Sequence, residues 1–144
     1  MKTLVKTIIL TIIFGLMANV TFAQNKYSVT VTVKGIKKRE GKVLASISND
    51  MESFPQSGAI KTAMAEVTKE GEVTLTFEGM LEGKYAIVLY QDLNDNKTLD
   101  MNGQMPAEPF GFSNISMMMG PPTFLQCAFD LKENTAMNIN LFIF

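Results

Sequence analysis

The stretch Gly79-Met80-Leu81-Glu82-Gly83-Lys84-Tyr85-Ala86-Ile87-Val88-Leu89-Tyr90 holds a glycine-bounded turn, then a tyrosine, then an almost continuous apolar run. In β-sandwiches a tyrosine at such a corner turns its ring into the core and bonds its hydroxyl to a nearby backbone group. Tyr85 is therefore expected to be that corner, with a structural role. Just upstream, residues 72–78 alternate, with Val73, Leu75 and Phe77 on one face. Nearer the N-terminus Tyr27, Val29, Val31 and Val33 alternate with polar residues, and Val43, Ala45 and Ile47 share a face. Period two with β-branched side chains predicts half-buried strands.

Residues 60–68 are mixed. Ala63-Met64-Ala65-Glu66 favours helix, while Ile60, Thr62, Val67 and Thr68 favour strand. The neighbouring strands tip the reading to strand. Downstream, residues 124–131 and 137–144 carry period-two patterns and are expected to close the fold. Lys37-Lys38-Arg39-Glu40 reads as a solvated hairpin tip, residues 49–58 as a loop, and Lys69-Glu70-Gly71 as a turn. The expectation is an all-β, immunoglobulin-like antiparallel β-sandwich of about seven strands, with one long loop over residues 91–123 and no helix. A small outer-membrane barrel ending on Phe144 is the alternative. The long irregular segment and the short strands count against it.

The sequence has 144 residues, 47% of them apolar, with 13 basic and 14 acidic side chains, no histidine and one cysteine. Without histidine it offers no Ser-His-Asp or Cys-His hydrolase, no His-ligated zinc and no imidazole proton shuttle. Balanced charge argues against a nucleic-acid partner, whose binders carry a basic excess. Cys127 has no partner for an internal disulfide. Its setting, Phe124-Leu125-Gln126-Cys127-Ala128-Phe129, predicts a small buried side chain.

Lys2 and Lys6 precede the uncharged apolar run that leads through Val20 to Thr21-Phe22-Ala23. This is the layout of a secretory signal peptide. Residues 1–23 are expected to be cleaved before Gln24, leaving one domain over residues 24–144 with no transmembrane segment. Loss of Lys2 and Lys6 takes the net charge from −1 to −3. The mature chain is expected in the periplasm or outside the cell.

Candidate chemistry concentrates in the long loop. It opens Asp92-Leu93-Asn94-Asp95-Asn96-Lys97-Thr98-Leu99-Asp100. Oxygen-bearing side chains at loop positions 1, 3, 5 and 9, with a backbone oxygen at 7, are the spacing that wraps calcium. Asp92, Asn94, Asn96 and Asp100 would supply side chains, Thr98 its carbonyl, and Glu108 could fold back. Lys97 stands where the sharp turn prefers glycine, and Gly103 where a bidentate glutamate would sit. The competing reading is an Asx-rich turn capped by its own side chains.

Met101, Met105, Met117, Met118 and Met119 follow. Thioethers can bind Cu(I), and they also pack adaptably beneath a lid. Phe110-Gly111-Phe112-Ser113-Asn114 is a further candidate. Phe110 and Phe112 could stack on a ligand or anchor the loop, and Ser113 and Asn114 lie in the same segment.

Asp92-x-Asn94-x-Asn96-x-x-x-Asp100, then Pro106-x-Glu108-Pro109-Phe110-Gly111-Phe112-Ser113-Asn114, then Gly120-Pro121-Pro122-x-Phe124, preceded by Leu81-x-Gly83-x-Tyr85-Ala86, resembles the DUF2141 family of exported bacterial proteins. The similarity spans about residues 28–144. Asn96-Lys97 replaces the Asn-Gly usual in that family. The resemblance implies a secreted, β-rich domain and no particular reaction. Together these readings predict a non-catalytic binding or envelope-structural module, with an envelope protein or a glycan as partner. The alternatives are a glycan-active enzyme using Asp92, Asp95, Asp100 and Glu108, and a methionine-based copper-handling protein.

Overall fold

The computed structural model describes residues 24–143. The expected signal peptide and Phe144 lie outside the described residues. Six long strands carry the architecture: β1 (Tyr27–Lys34), β2 (Lys42–Ser48), β3 (Ala59–Glu66), β4 (Val73–Met80), β5 (Gly83–Asp92) and, near the C-terminus, β10 (Thr135–Asn140). Four short ones lie between: β6 (Met101–Asn102), β7 (Met105–Pro106), β8 (Phe110–Phe112) and β9 (Phe129–Leu131).

One sheet runs β10-β1-β4; the larger one runs β3-β2-β5-β8, with β9 added to the start of β5. The two sheets enclose one apolar core, so the all-β sandwich stands. Val29, Val31 and Val33 of β1 face Val43, Ala45 and Ile47 of β2 and Ile87 and Leu89 of β5. These are the alternate positions that the period-two pattern marks. The mixed stretch does form a strand, β3, at an exposed edge, but it ends at Glu66 and leaves Val67 and Thr68 outside.

Three features depart from the expected pattern. β1 pairs with β10 in parallel, so the sandwich is not wholly antiparallel. Residues 91–123 are not one irregular loop, because β5 runs on to Asp92 and β6, β7 and β8 lie within them. Residues 124–131 are not a single strand. They open with a short helix, α1 (Phe124–Cys127), before β9. The Thr123 N–H donates to Gln126 Oε1 at 2.8 Å, one half of a capping box that fixes this turn.

β5 has a second apolar row on its other face. Ala86, Phe110, Phe112, Phe54, Phe124 and Cys127 form a separate cluster on the outer side of the larger sheet. A strand buried on both faces reads as a near-continuous apolar run, and that is how residues 85–90 read. The Phe110 and Phe142 backbones exchange two hydrogen bonds, at 3.1 and 2.7 Å, which close the β8 edge of the sandwich.

Candidate functional site

The site is built from β5 outward. Ile87, Leu89 and Gln91 face the inter-sheet core, whereas Val88, Tyr90 and Asp92 face outward. β8 pairs alongside, with Phe112 opposite Val88 and Phe110 opposite Tyr90. Gly111 between them faces inward, where a Cβ would come within 2.6 Å of the Asn140 carbonyl. Glycine at that position therefore lets the two phenylalanines share the outer face.

Above this face lies a pocket of about 620 Å³. Its floor is Ser46, Val88, Tyr90, Phe110 and Phe112. Pro55 and Gln56 wall one side; Leu99, Met101, Gln104, Met105 and Pro106 wall another; Met118 and Gly120-Pro121-Pro122 complete it. Met101 and Met105 remain about half exposed, at 54% and 46%. Burial, with lesser contributions from the charges of Asp92 and Glu108, pushes the Tyr90 hydroxyl above its ordinary pKa.

The Asx loop forms the end of the pocket that carries Leu99 and Met101. Asp92 is fully buried. Its Oδ1 accepts the N–H groups of Asn94 and Asn96, both at 3.3 Å, and its Oδ2 that of Lys97 at 2.8 Å. Burial alone would raise its pKa, but the backbone N–H groups of Lys97, Asp95, Asn96 and Asn94 together hold the carboxyl below its ordinary range. Asn94 and Asn96 turn their amide N–H groups onto the two oxygens of Asp100, at 2.7 and 2.8 Å. Their own amide oxygens accept from Asn96 N and from Thr98 N and Oγ1.

Glu108 does fold back. It is buried, and it bonds backbone: Oε1 accepts Leu93 N at 2.8 Å and Oε2 accepts Asp100 N at 3.1 Å. Lys97 takes a left-handed backbone with φ 62°, the conformation that glycine adopts without strain. Thus Asp92, Asn94, Asn96, Thr98, Asp100 and Glu108 are all brought together, and their mutual hydrogen bonds form the self-capped turn. Among the described residues no group of three or more histidine, cysteine, aspartate or glutamate side chains converges as metal ligands do.

The other candidates divide clearly. Phe110 and Phe112 both anchor the loop and line the pocket. Ser113 is fully buried; its hydroxyl accepts Ile87 N at 2.9 Å and donates to Cys127 O at 2.7 Å. Asn114 donates to Ala128 O at 2.6 Å. Ser113 and Asn114 are thus anchors of the segment that carries α1. Tyr85 holds the predicted corner, its hydroxyl donating to Leu81 O at 3.0 Å. Met101, Met105 and Met118 line the pocket, while Met119 is 94% exposed.

Sequence reading missed Tyr90, Val88 and Ser46 as pocket residues. The available signal was parity: Val88 and Tyr90 are apolar on the face of β5 opposite Ile87 and Leu89.

A family model described as an uncharacterized protein conserved in bacteria, DUF2141, matches residues 31–140. The chain belongs to the DUF2141 family. The matched span runs from β1 to the end of β10, so it includes both sheets, the Asx loop and the pocket. No curated protein and no solved structure matches the chain. No helix among the described residues of this DUF2141 member is long and apolar enough to cross a membrane.

Proposed function

We propose that the protein is an exported, non-catalytic binding module of the bacterial envelope, holding its ligand in the apolar pocket above β5 and β8. The pocket carries this reading. Its volume of about 620 Å³ lies within the roughly 300–1,000 Å³ typical of small-molecule sites. Its walls are aromatic rings, methionines and prolines, with a few neutral polar groups. Export is inferred from the layout of residues 1–23.

A carboxylate enzyme is the weaker reading. It needs two carboxyls free to exchange protons across a sugar. Those of Asp92 and Glu108 accept backbone N–H groups, and Asp95 pairs with Lys42 at 2.7 Å.

The test is titration of the mature chain with N-phenyl-1-naphthylamine, which brightens in apolar surroundings. Saturable binding at one site, lost when Ser46→Trp fills the floor, is expected. A folded chain that shows no saturable binding, or an unaffected Ser46→Trp variant, overturns the reading. Mass measurement after expression in a bacterium should find the exported chain beginning at Gln24. A product retaining residues 1–23 overturns export.

A calcium-ordered loop is a second reading, supported by the convergence of Asn94, Asn96 and Asp100. Turning both amides would direct their oxygens to one point, at the cost of the bonds to Asn96 and Thr98. Such a site would bind weakly, around the 10⁻⁴–10⁻³ M of extracellular modules. A melting midpoint unchanged by millimolar calcium removes it, since an ion bound by the folded state alone must raise stability.

A further inference from the structure

We propose that the pocket selects uncharged ligands, and that its occupant is a largely apolar neutral molecule fixed at one point by the Tyr90 hydroxyl. This deepens the binding reading above and rests on it.

No lysine, arginine, aspartate or glutamate lines the pocket. The polar side chains that reach it are Ser46, Gln56, Tyr90 and Gln104, all neutral. None of these four side chains has a hydrogen-bond partner among the described residues. Tyr90 differs from the glutamines in its support. It stands on β5, which pairs with β2 on one side and β8 on the other at this residue. Gln56 and Gln104 sit exposed on the rim. A rigid, half-buried hydroxyl over an apolar floor fixes a ligand's orientation, because a group lacking a partner there loses its bond to water without replacement.

The two charges that act on the Tyr90 hydroxyl from behind the wall are both carboxylates, Asp92 and Glu108. Asp92 continues the outward row of Val88 and Tyr90, and Glu108 precedes β8 by two residues. The nearby ammonium of Lys42 is engaged with Asp95. An anion entering the pocket would therefore leave water, meet no cation and face two carboxylates. A cation would also leave water, and no carboxylate lines the pocket to take its hydrogen bonds.

The experiment uses three probes of nearly one shape: 2-ethylnaphthalene, 2-acetylnaphthalene and 2-naphthoate at pH 7.5. Each displaces N-phenyl-1-naphthylamine from the mature wild-type chain and from Tyr90→Phe. The acetyl probe is expected to bind at least about tenfold more tightly than the carboxylate. Tyr90→Phe is expected to weaken the acetyl probe about threefold to tenfold and leave the ethyl probe unchanged. Naphthoate binding as tightly as the ketone overturns the selection for neutral ligands while the pocket reading stands. An acetyl affinity unmoved by Tyr90→Phe overturns the anchor. If the folded chain binds none of the three and no naphthylamine, the pocket reading itself fails.

Discussion

The Glu108 carboxylate closes on the backbone N–H of Leu93, fifteen residues upstream, at 2.8 Å. Its other oxygen takes the N–H of Asp100. One buried side chain thus ties both ends of the Asx loop to the bend that leads into β8 at Phe110. Removing it leaves two donors unpaired. Glu108→Ala is expected to lower unfolding free energy by about 2 kcal/mol. Glu108→Gln keeps an acceptor oxygen and should lose less. Urea denaturation reads both, and naphthylamine affinity should fall in the same order, because Leu99 and Met101 line the pocket from this loop.

The fold was legible where one physical signal dominated. Tyr27–Lys34 and Lys42–Ser48 alternate because each faces the core on one side. The corner at Tyr85 was legible because ring burial and hydroxyl pairing restrict what can stand there. The fold-back of Glu108 was legible as a possibility, since the loop lacked an oxygen donor. α1 was misread because Phe124, Gln126 and Ala128 mimic period two; the Thr123-x-x-Gln126 box was the stronger local signal. The pocket was illegible because three separate loops converge on β5. No periodicity records which loop covers which face.

The same corner gives a clean single-atom test. Tyr85 is buried, and its hydroxyl meets Leu81 O at 3.0 Å. Tyr85→Phe keeps the ring among its neighbours and deletes the bond. The expected loss is about 0.5–1.5 kcal/mol in urea denaturation. Naphthylamine affinity should not change, since the ring belongs to the inter-sheet core.

Lys97 is strained by its own backbone. Its φ of 62° is left-handed, and the bond it supplies, from its N–H to Asp92 Oδ2, needs no side chain. Lys97→Gly relieves the Cβ contact at some cost in unfolded-state entropy. A net gain of up to about 1 kcal/mol is expected. Thermal melting checks it, and a lowered midpoint would show that the lysine side chain contributes contacts of its own.

Acid should uncover the role of Asp92. Its folded-state pKa lies below the ordinary 3.8. A depressed carboxyl contributes stability that is fully present above the unfolded value and lost as pH falls through the folded one. The wild-type and Asp92→Asn melting midpoints should therefore differ by several degrees near neutrality and converge below about pH 3.8. Asp50 and Glu70 are also depressed and lose stability in the same range. Both chains share those groups, so the difference isolates Asp92. Parallel pH curves would contradict the assignment.

Cys127 reports on how firmly the segment around α1 is held. Burial pushes its thiol up to about 11, so at pH 8 only about one molecule in a thousand carries a thiolate there. Iodoacetamide labelling of the native chain should be slow and should accelerate as urea opens the protein. Ser113 holds the Cys127 carbonyl through its hydroxyl. Ser113→Ala cuts that tie, so labelling should accelerate by more than the fall in global stability accounts for. Val33→Ala, in β1 of the opposite sheet, should accelerate labelling only in proportion to that fall. Equal acceleration at matched stability would mean that this segment opens only with the whole sandwich.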